Sequence, residues 1–237
     1  MTQITNGSDD VHQHSGWWFP GVILGAITLL SGVFLLYDLR PDIRPSGDRT
    51  SDTVPIRLSV GDLVLMVPAN YLESRPARAG GPQHTVTLSA LLPDLRGYTA
   101  SEGRQFQNNA PDSPVVRFFF KAGEKDMAAE ERLQRIYGPY LTDSTGHDSD
   151  FGLTQYTFRP QAAYGRSDLF AGLGGGRTLL FLCERADPQL TSPNCLVSGR
   201  IVAANVSFSW RFKRAYLARW QEVAAGVDRL LDRWTVH

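Results

Sequence analysis

The chain has 237 residues, of which 42% are hydrophobic, and its 24 basic and 24 acidic side chains give a formal net charge of zero. This length is enough for one or two domains. Because there is no sustained run of Lys or Arg, the sequence lacks the basic patch that nucleic acid or anionic lipid would attract, and nucleic acid is excluded as the expected partner.

The chain opens with a polar segment followed by a long apolar run. Residues 1–15 are predicted to be a disordered tail. Residues 16–37 contain no charge and would form about 33 Å of helix, which is enough to cross a bilayer. Trp17 and Tyr37 lie near the two ends, where aromatic side chains favour the membrane interfaces. No Lys or Arg precedes the run, which disfavours a cleaved signal peptide. We therefore predict a transmembrane anchor over residues 16–38, with the lipid bilayer as its partner.

Three small residues lie near one face of this predicted span. Gly21 and Gly25 form a GxxxG pair, and Gly32 follows seven residues later. Small residues let two membrane helices approach closely, so this face is a candidate contact for a homo-oligomer. The alternative is that glycine is simply common in membrane helices.

Two arguments about the orientation of the span disagree. Arg40, Arg44 and Arg49 follow it, and the positive-inside rule would place them in the cytoplasm. Aspartates accompany these arginines, however, and long domains translocate largely regardless of local charge. A pair of cysteines later in the chain also suits an oxidising compartment. We therefore predict a bacterial inner-membrane protein whose C-terminal domain lies in the periplasm.

A polar linker over residues 39–54, interrupted by Pro and Gly, is expected to lead into a soluble domain over residues 55–237. Alternation of apolar and polar residues predicts a β-hairpin at the start of this domain and several strands after it. The predicted strands are 56–60, 63–67, 84–92, 115–121, 152–158, 167–171, 177–183 and 202–212. The polar stretch 97–114 is either a region with its own local structure or a mobile loop.

The last predicted strand has the clearest alternation. Phe208 and Trp210 share one face, whereas Ser209 and Arg211 occupy the other. One face of this strand is therefore expected to be buried and the other to be polar.

Two amphipathic helices complete the predicted fold. An internal helix is expected over residues 127–138, where apolar residues recur at helical spacing and Gly138-Pro139 marks the end. In the C-terminal segment the apolar residues are spaced three and four apart, at Leu217, Trp220, Ala224, Val227, Leu231 and Trp234. The predicted fold class is α+β: one N-terminal transmembrane helix, then a mainly antiparallel sheet domain packed with the internal helix and the C-terminal helix.

The two cysteines are expected to form a disulfide. Cys183 ends an apolar strand, and Cys195 follows a turn-rich segment of eleven residues, so hairpin geometry brings the thiols within reach. A loop of this size would contribute about 3 kcal/mol in the chain-entropy model. A zinc site is not expected, because two cysteines without a nearby His cannot complete four ligands.

No motif in the sequence supports a catalytic mechanism. The glycine run 172–176 leads into a strand rather than a helix, which predicts a hairpin connection and not a phosphate-binding loop. The segment DSTGHDSD at 143–150 matches no calcium loop and is predicted to be a solvated turn. We expect neither a metal nor a cofactor.

These observations favour a membrane-anchored envelope protein whose periplasmic domain is a binding or assembly module with a protein partner in the envelope. One concrete version is an inhibitor or immunity factor that captures another protein. Two alternatives stay open: a membrane-tethered hydrolase with dispersed catalytic residues, and a structural subunit of a membrane protein complex.

Overall fold

The computed structural model describes residues 49–236. Over these residues the strands are β1 (Pro55–Val60), β2 (Leu63–Pro68), β3 (Gly81–Gln83), β4 (Thr85–Leu91), β5 (Val115–Ala122), β6 (His147–Ser149), β7 (Leu153–Thr157), β8 (Ser167–Gly174), β9 (Arg177–Glu184), β10 (Asn194–Ser198) and β11 (Val206–Lys213). The α-helices are α1 (Arg75–Arg78), α2 (Gly103–Gln107), α3 (Ala129–Arg132) and α4 (Trp220–Trp234). Short 3₁₀ segments occupy Ala69–Tyr71, Ala100–Glu102, Gly138–Tyr140, Asp150–Gly152 and Arg214–Arg219.

The strands form two sheets. The small sheet has the order β2-β1-β3, and the large sheet has the order β4-β5-β11-β10-β9-β8-β7-β6. Neighbouring strands of the large sheet run antiparallel, whereas β1 and β3 of the small sheet run parallel. Since β5 and β11 are neighbours in space but far apart in sequence, the last strand of the chain completes the middle of the large sheet.

Helix α4 and the small sheet cover one face of the large sheet, which we call its inner face. The Trp234 ring lies 5.0 Å from that of Tyr71, in the 3₁₀ segment that follows β2, and 5.9 Å from that of Phe118 in β5 of the large sheet. The backbone N–H of Val236 donates to the carbonyl of Val64 at 3.0 Å. The end of the described chain is thereby bound to the edge of the small sheet.

The glycine run between β8 and β9 forms a tight hairpin. Gly174 pairs with Arg177, which leaves Gly175 and Gly176 as a two-residue loop. Both have left-handed backbone angles, with φ of +59° and +73°. Two-residue hairpin loops of this kind require positive φ at both positions, which glycine adopts without steric cost.

The predicted fold class is wrong. The described chain is a mostly antiparallel sheet domain with a C-terminal helix, not a transmembrane helix followed by an α+β domain. The internal helix expected over 127–138 is α-helical only over Ala129–Arg132 and continues as a π-helical turn. Its start is held in another way, because the Asp126 carboxylate accepts hydrogen bonds from the Phe208 backbone and from the Arg132 side chain.

No helix in the described part of the chain is long and apolar enough to cross a membrane. The predicted anchor over residues 16–38 and the tail before it lie outside the described residues.

Candidate functional site

The two cysteines lie opposite each other on neighbouring strands in the middle of the large sheet. Cys183 in β9 pairs with Cys195 in β10, their Cα atoms are 4.0 Å apart, and a disulfide joins them. Both are fully buried in the hydrophobic core. The predicted contact glycines Gly21, Gly25 and Gly32 lie outside the described residues.

The segment 143–150, predicted to be a solvated turn, is a turn only over residues 143–146, since His147–Ser149 form the edge strand β6. The backbone N–H of Thr145 donates to the Asp143 carboxylate at 2.8 Å, and this hydrogen bond lowers the pKa of Asp143. Between residues 49 and 236 no group of three or more His, Cys, Asp or Glu side chains is arranged to hold a metal ion.

Two clefts lie along consecutive turns of the C-terminal helical segment, and together we call them the hairpin groove. The first, of 340 Å³, lies between the β8–β9 hairpin and α4, and the second, of 270 Å³, lies between residues 149–151 and the 3₁₀ helix before α4. The first is lined by Leu173, Gly174, Gly175, Gln221, Ala224, Ala225 and Asp228. The second is lined by Ser149, Asp150, Phe151, Gln155, Phe170, Arg214, Ala215, Leu217 and Ala218.

Two large apolar side chains are exposed at the hairpin groove. Leu173 is 73% exposed and Phe151 is 52% exposed. Phe151 also has a left-handed φ of +66°, which is unfavourable for a residue with a bulky side chain. Its carbonyl accepts a hydrogen bond from Trp220 Nε1 at 3.0 Å, so a buried core residue holds this conformation in place.

Two of the three charged side chains that line the hairpin groove, Asp228 and Arg214, are paired within the chain. Asp228 accepts hydrogen bonds from both Arg177 and Arg200. Arg214 donates to the buried Asp168 at 2.6 Å and to the carbonyl of Glu184 at 2.8 Å. The third, Asp150, is exposed and forms no ion pair among the described residues, so the groove offers apolar surface and one unpaired carboxylate, but no unpaired cation.

The face of the large sheet that points away from α4, its outer face, is divided into two halves. In the middle of β7, β8 and β9 the outward side chains of Tyr156, Leu169, Ala171, Leu180 and Leu182 are apolar and belong to a second hydrophobic cluster. Leu169 and Leu180 are buried there beneath Tyr137, Leu141 and Phe158. We call this part the covered half.

The outer face of β4, β5, β11 and β10, which we call the open half, carries mainly polar side chains. They are Thr87 and Ser89 on β4, Arg117 and Phe119 on β5, Ser209 and Arg211 on β11, and Leu196 on β10. A small cluster around Phe106 covers one end of this half, at Leu91 and Val115. Beyond that end, no hydrophobic cluster of the described residues covers it.

Two arginines lie directly opposite each other in the open half. Arg117 on β5 pairs with Arg211 on β11, and like charges in this arrangement repel. The charge of Arg117 is compensated, because its Nε donates to Glu73 at 3.0 Å, although Glu73 also accepts from Arg49 at 2.8 Å. Arg211 lies over the Phe119 ring, 5.5 Å from its centre, and no acceptor among the described residues binds its guanidinium. Burial and the nearby Arg117 charge lower the pKa of Arg211, and the carboxylates of Glu184 and Glu73, which lie beyond ion-pair distance, oppose this shift.

Lys213 extends the positive charge along β11. It is buried, and its ammonium donates to Asn109 Oδ1 at 2.8 Å and to Ser192 Oγ at 2.6 Å, which are neutral acceptors. Burial, followed by the Arg211 charge, lowers the pKa of Lys213. Of the described residues, none places a carboxylate within ion-pair distance of Lys213 or Arg211.

The sequence placed Arg211 on the polar face of its strand but offered no reason to place it beside Arg117. The available signal is that each arginine interrupts an aromatic strand at an outward position, in VVRFFFK and in VSFSWRF. The register that makes them neighbours joins β5 to β11, which are separated in the chain by residues 123–205. Alternation within one strand cannot reveal such a pairing.

Comparison with known proteins gives one informative likeness. The sequence matches no protein-family model and no curated protein. Among solved structures, a similar fold is that of Smlt3025, an immunity protein of the Stenotrophomonas maltophilia type IV secretion system. The likeness covers 78% of this chain and 94% of that chain, at 17% sequence identity and a TM-score of 0.57. At this identity the comparison shows a shared fold.

Proposed function

We propose that this chain is an immunity protein that binds a secreted protein effector in the bacterial envelope and blocks its action. The observation that carries the proposal is the fold shared with Smlt3025, because it extends over 94% of that immunity protein. A fold hosts many functions. The proposal therefore also depends on what the described residues offer to a partner and on where the chain would meet it.

The buried disulfide supports a periplasmic location. Disulfides form and persist in oxidising compartments, of which the periplasm is one, and are rare in the bacterial cytoplasm. The bond between Cys183 and Cys195 lies in the core and joins two central strands. An effector that arrives from another cell would meet the immunity protein in that compartment.

The surface supports a binding role. Phe151 and Leu173 are exposed at the hairpin groove, and in the open half the Arg211 guanidinium, which no acceptor of the described residues binds, lies beside apolar side chains. Aromatic, apolar and arginine side chains are the groups that contribute most at protein interfaces. The hydrolase considered from the sequence would need two convergent carboxylates or a His beside a hydroxyl, and neither cleft of the described residues contains such a set.

A contact-dependent competition tests the proposal and does not require the effector to be identified. The gene for this chain is deleted from the strain that encodes it, and the deletion strain is mixed on a solid surface with its parent as attacker. We expect recovery of the deletion strain to fall relative to a complemented strain. The fall should disappear when the attacker lacks the ATPase of its type IV secretion system.

Equal recovery of the deletion and complemented strains would contradict the proposed function, as would a deficit that persists when the attacker has no functional secretion system.

A further inference from the structure

The open half contains a charge arrangement that the fold does not need. Arg211 and Arg117 repel each other across β5 and β11, and the Glu73 carboxylate is engaged by Arg117 and Arg49. Arg211 is partly buried, which removes part of its hydration, and no carboxylate of the described residues lies within ion-pair distance to replace that hydration, since Glu184 and Glu73 act on it only from farther away. A carboxylate from outside would do so.

We propose that the open half is the surface that receives the partner, and that the partner presents an acidic side chain to Arg211 with apolar side chains on either side of it. The inference rests on the proposed function for the identity of that partner, the secreted effector.

Charge complementarity gives the chemistry of the partner. Arg211 lies between Arg117 on one side and Leu196 on the other, and its guanidinium lies over Phe119. Lys213 lies two residues along the same face of β11, where it adds positive charge but no contact surface, because it is buried and bound to Asn109 and Ser192. An Asp or Glu of the partner would bind Arg211 with charge-assisted hydrogen bonds, while neighbouring apolar residues cover Leu196 and Phe119.

The exposure of Leu196 supports a partner that brings apolar side chains as well as a carboxylate. It is 37% exposed, although it lies directly opposite Arg211 in the sheet and has the buried Cys195 and Val197 as neighbours in its own strand. This leucine, at an outward position of a central strand, has no cover among the described residues comparable to that of Leu180 in the covered half. A partner that brings both a carboxylate and apolar groups satisfies the two exposed features together.

The hairpin groove is the competing location, and it fits this partner less well. Its large exposed apolar side chains are Leu173 and Phe151, and the cation that lines it, Arg214, is bound to Asp168. Its unpaired charge is the exposed carboxylate of Asp150, which would repel an acidic side chain of the partner. The open half, in contrast, has a cation, Arg211, with no carboxylate of the described residues within ion-pair distance, and this cation selects for a carboxylate.

The first experiment tests the surface itself. The full-length chain, labelled with ¹⁵N, is titrated with hexaglutamate, and hexalysine serves as the matched peptide of opposite charge. We expect hexaglutamate to shift the amide signals of Phe119, Leu196 and Arg211, and expect hexalysine to leave them unmoved. The shifts should be lost in Arg211→Glu and kept in Arg57→Glu, which makes the same charge change at an exposed position of the small sheet.

The second experiment tests the effector as the partner, with the competition described above as the readout. Arg211→Glu should lose protection, because loss of one partner of a desolvated charge pair weakens binding by about thirtyfold or more. Arg211→Lys should keep part of it, and Arg57→Glu should protect as the unaltered chain does. Melting temperatures of all variants identify any loss that is due to unfolding.

The outcomes separate the inference from the proposed function. If the unaltered chain protects and Arg211→Glu protects equally, the assignment of the surface is wrong and the function stands. If Leu173→Asp abolishes protection while Arg211→Glu keeps it, the hairpin groove is the binding surface.

If the unaltered chain gives no protection, the proposed function fails, and the titration alone decides whether the open half binds acidic segments. Tighter binding of a single-stranded DNA oligonucleotide than of hexaglutamate at this surface would overturn the assignment to a protein partner.

Discussion

The covered and open halves of the outer face belong to one sheet, but a layer of apolar side chains covers only the first of them. In the covered half, outward Leu169 and Leu180 lie beneath an aromatic group in which Phe158 is 6.0 Å from Tyr137 and 5.2 Å from Tyr164, measured between ring centres. These side chains form a second small core, separate from the main core on the inner face.

The open half has the same alternation but polar outward residues. Its inner side is as well packed as that of the covered half, since Phe118, Phe120, Phe208 and Trp210 are all buried. The fold therefore does not depend on anything that covers the open half. A surface that the fold leaves unused can carry groups that are unfavourable for stability, and such groups are expected at functional sites.

The comparison predicts a large difference between two phenylalanines on the outer face. Phe158→Ala in the covered half should lower the free energy of unfolding by about 3 kcal/mol or more, because it leaves a cavity among buried rings. Phe119→Ala in the open half should cost about 1 kcal/mol or less, since it removes a partly exposed ring and its contact with Arg211. Urea denaturation of both variants measures the difference, and equal losses would show that the two halves are equally part of the core.

The residues buried on the inner face of the large sheet could be predicted from the sequence, whereas the residues that are neighbours on its outer face could not. Alternation over 202–212 locates β11 and identifies Phe208 and Trp210 as buried. The spacing of apolar residues likewise locates the buried side of α4, including Trp220 and Trp234. Both signals are local, and each depends only on the period of one element.

The remaining features depend on contacts between distant parts of the chain. Pairing of β5 with β11 places Arg117 opposite Arg211, and no pattern within either strand reports this register. The segment 127–138 has helical spacing but is held by Asp126 to the backbone of Phe208, and only a short α-helical turn forms. Tertiary contacts outweighed local propensity there.

The disulfide links β9 of the covered half to β10 of the open half, and its removal should have the next largest effect. In the chain-entropy model a closed loop of this size contributes about 3 kcal/mol. Reduction, or the Cys183→Ala, Cys195→Ala double variant, should therefore lower the free energy of unfolding by about this amount. Urea denaturation with and without reductant measures it. Unchanged stability on reduction, with both thiols shown to be free, would contradict a role for the bond in holding the two halves together.

A smaller and pH-dependent difference is expected from Tyr137 in the covered half. Burial raises the pKa of Tyr137, with the nearby Arg132 charge opposing the shift. A group whose pKa is raised by folding contributes stability that is fully present below its unfolded value, about 10 for tyrosine, and is lost as the pH rises through the folded value. Tyr137→Phe should therefore reduce the loss of stability between about pH 8 and about pH 10.5, relative to the unaltered chain at the same two pH values. An identical loss in both would show that Tyr137 ionises as freely in the folded state as in the unfolded state.

The smallest effect has the opposite sign and lies in the open half. Arg211→Glu replaces a repulsive cross-strand pair with Arg117 by an attractive one, and such pairs contribute about 0.2–1 kcal/mol. The variant should therefore be as stable as the unaltered chain or slightly more stable in thermal or urea denaturation. Arg211→Gln, which removes the repulsion without adding attraction, should lie between them. If Arg211 were retained for stability, the unaltered chain would be the most stable of the three and Arg211→Glu the least stable.

If Arg211→Glu is more stable and yet fails to bind hexaglutamate, the arginine is kept at a cost to the fold, and binding at the open half explains why. A clear loss of stability in Arg211→Glu would instead mean that Arg211 is part of the structure of the sheet.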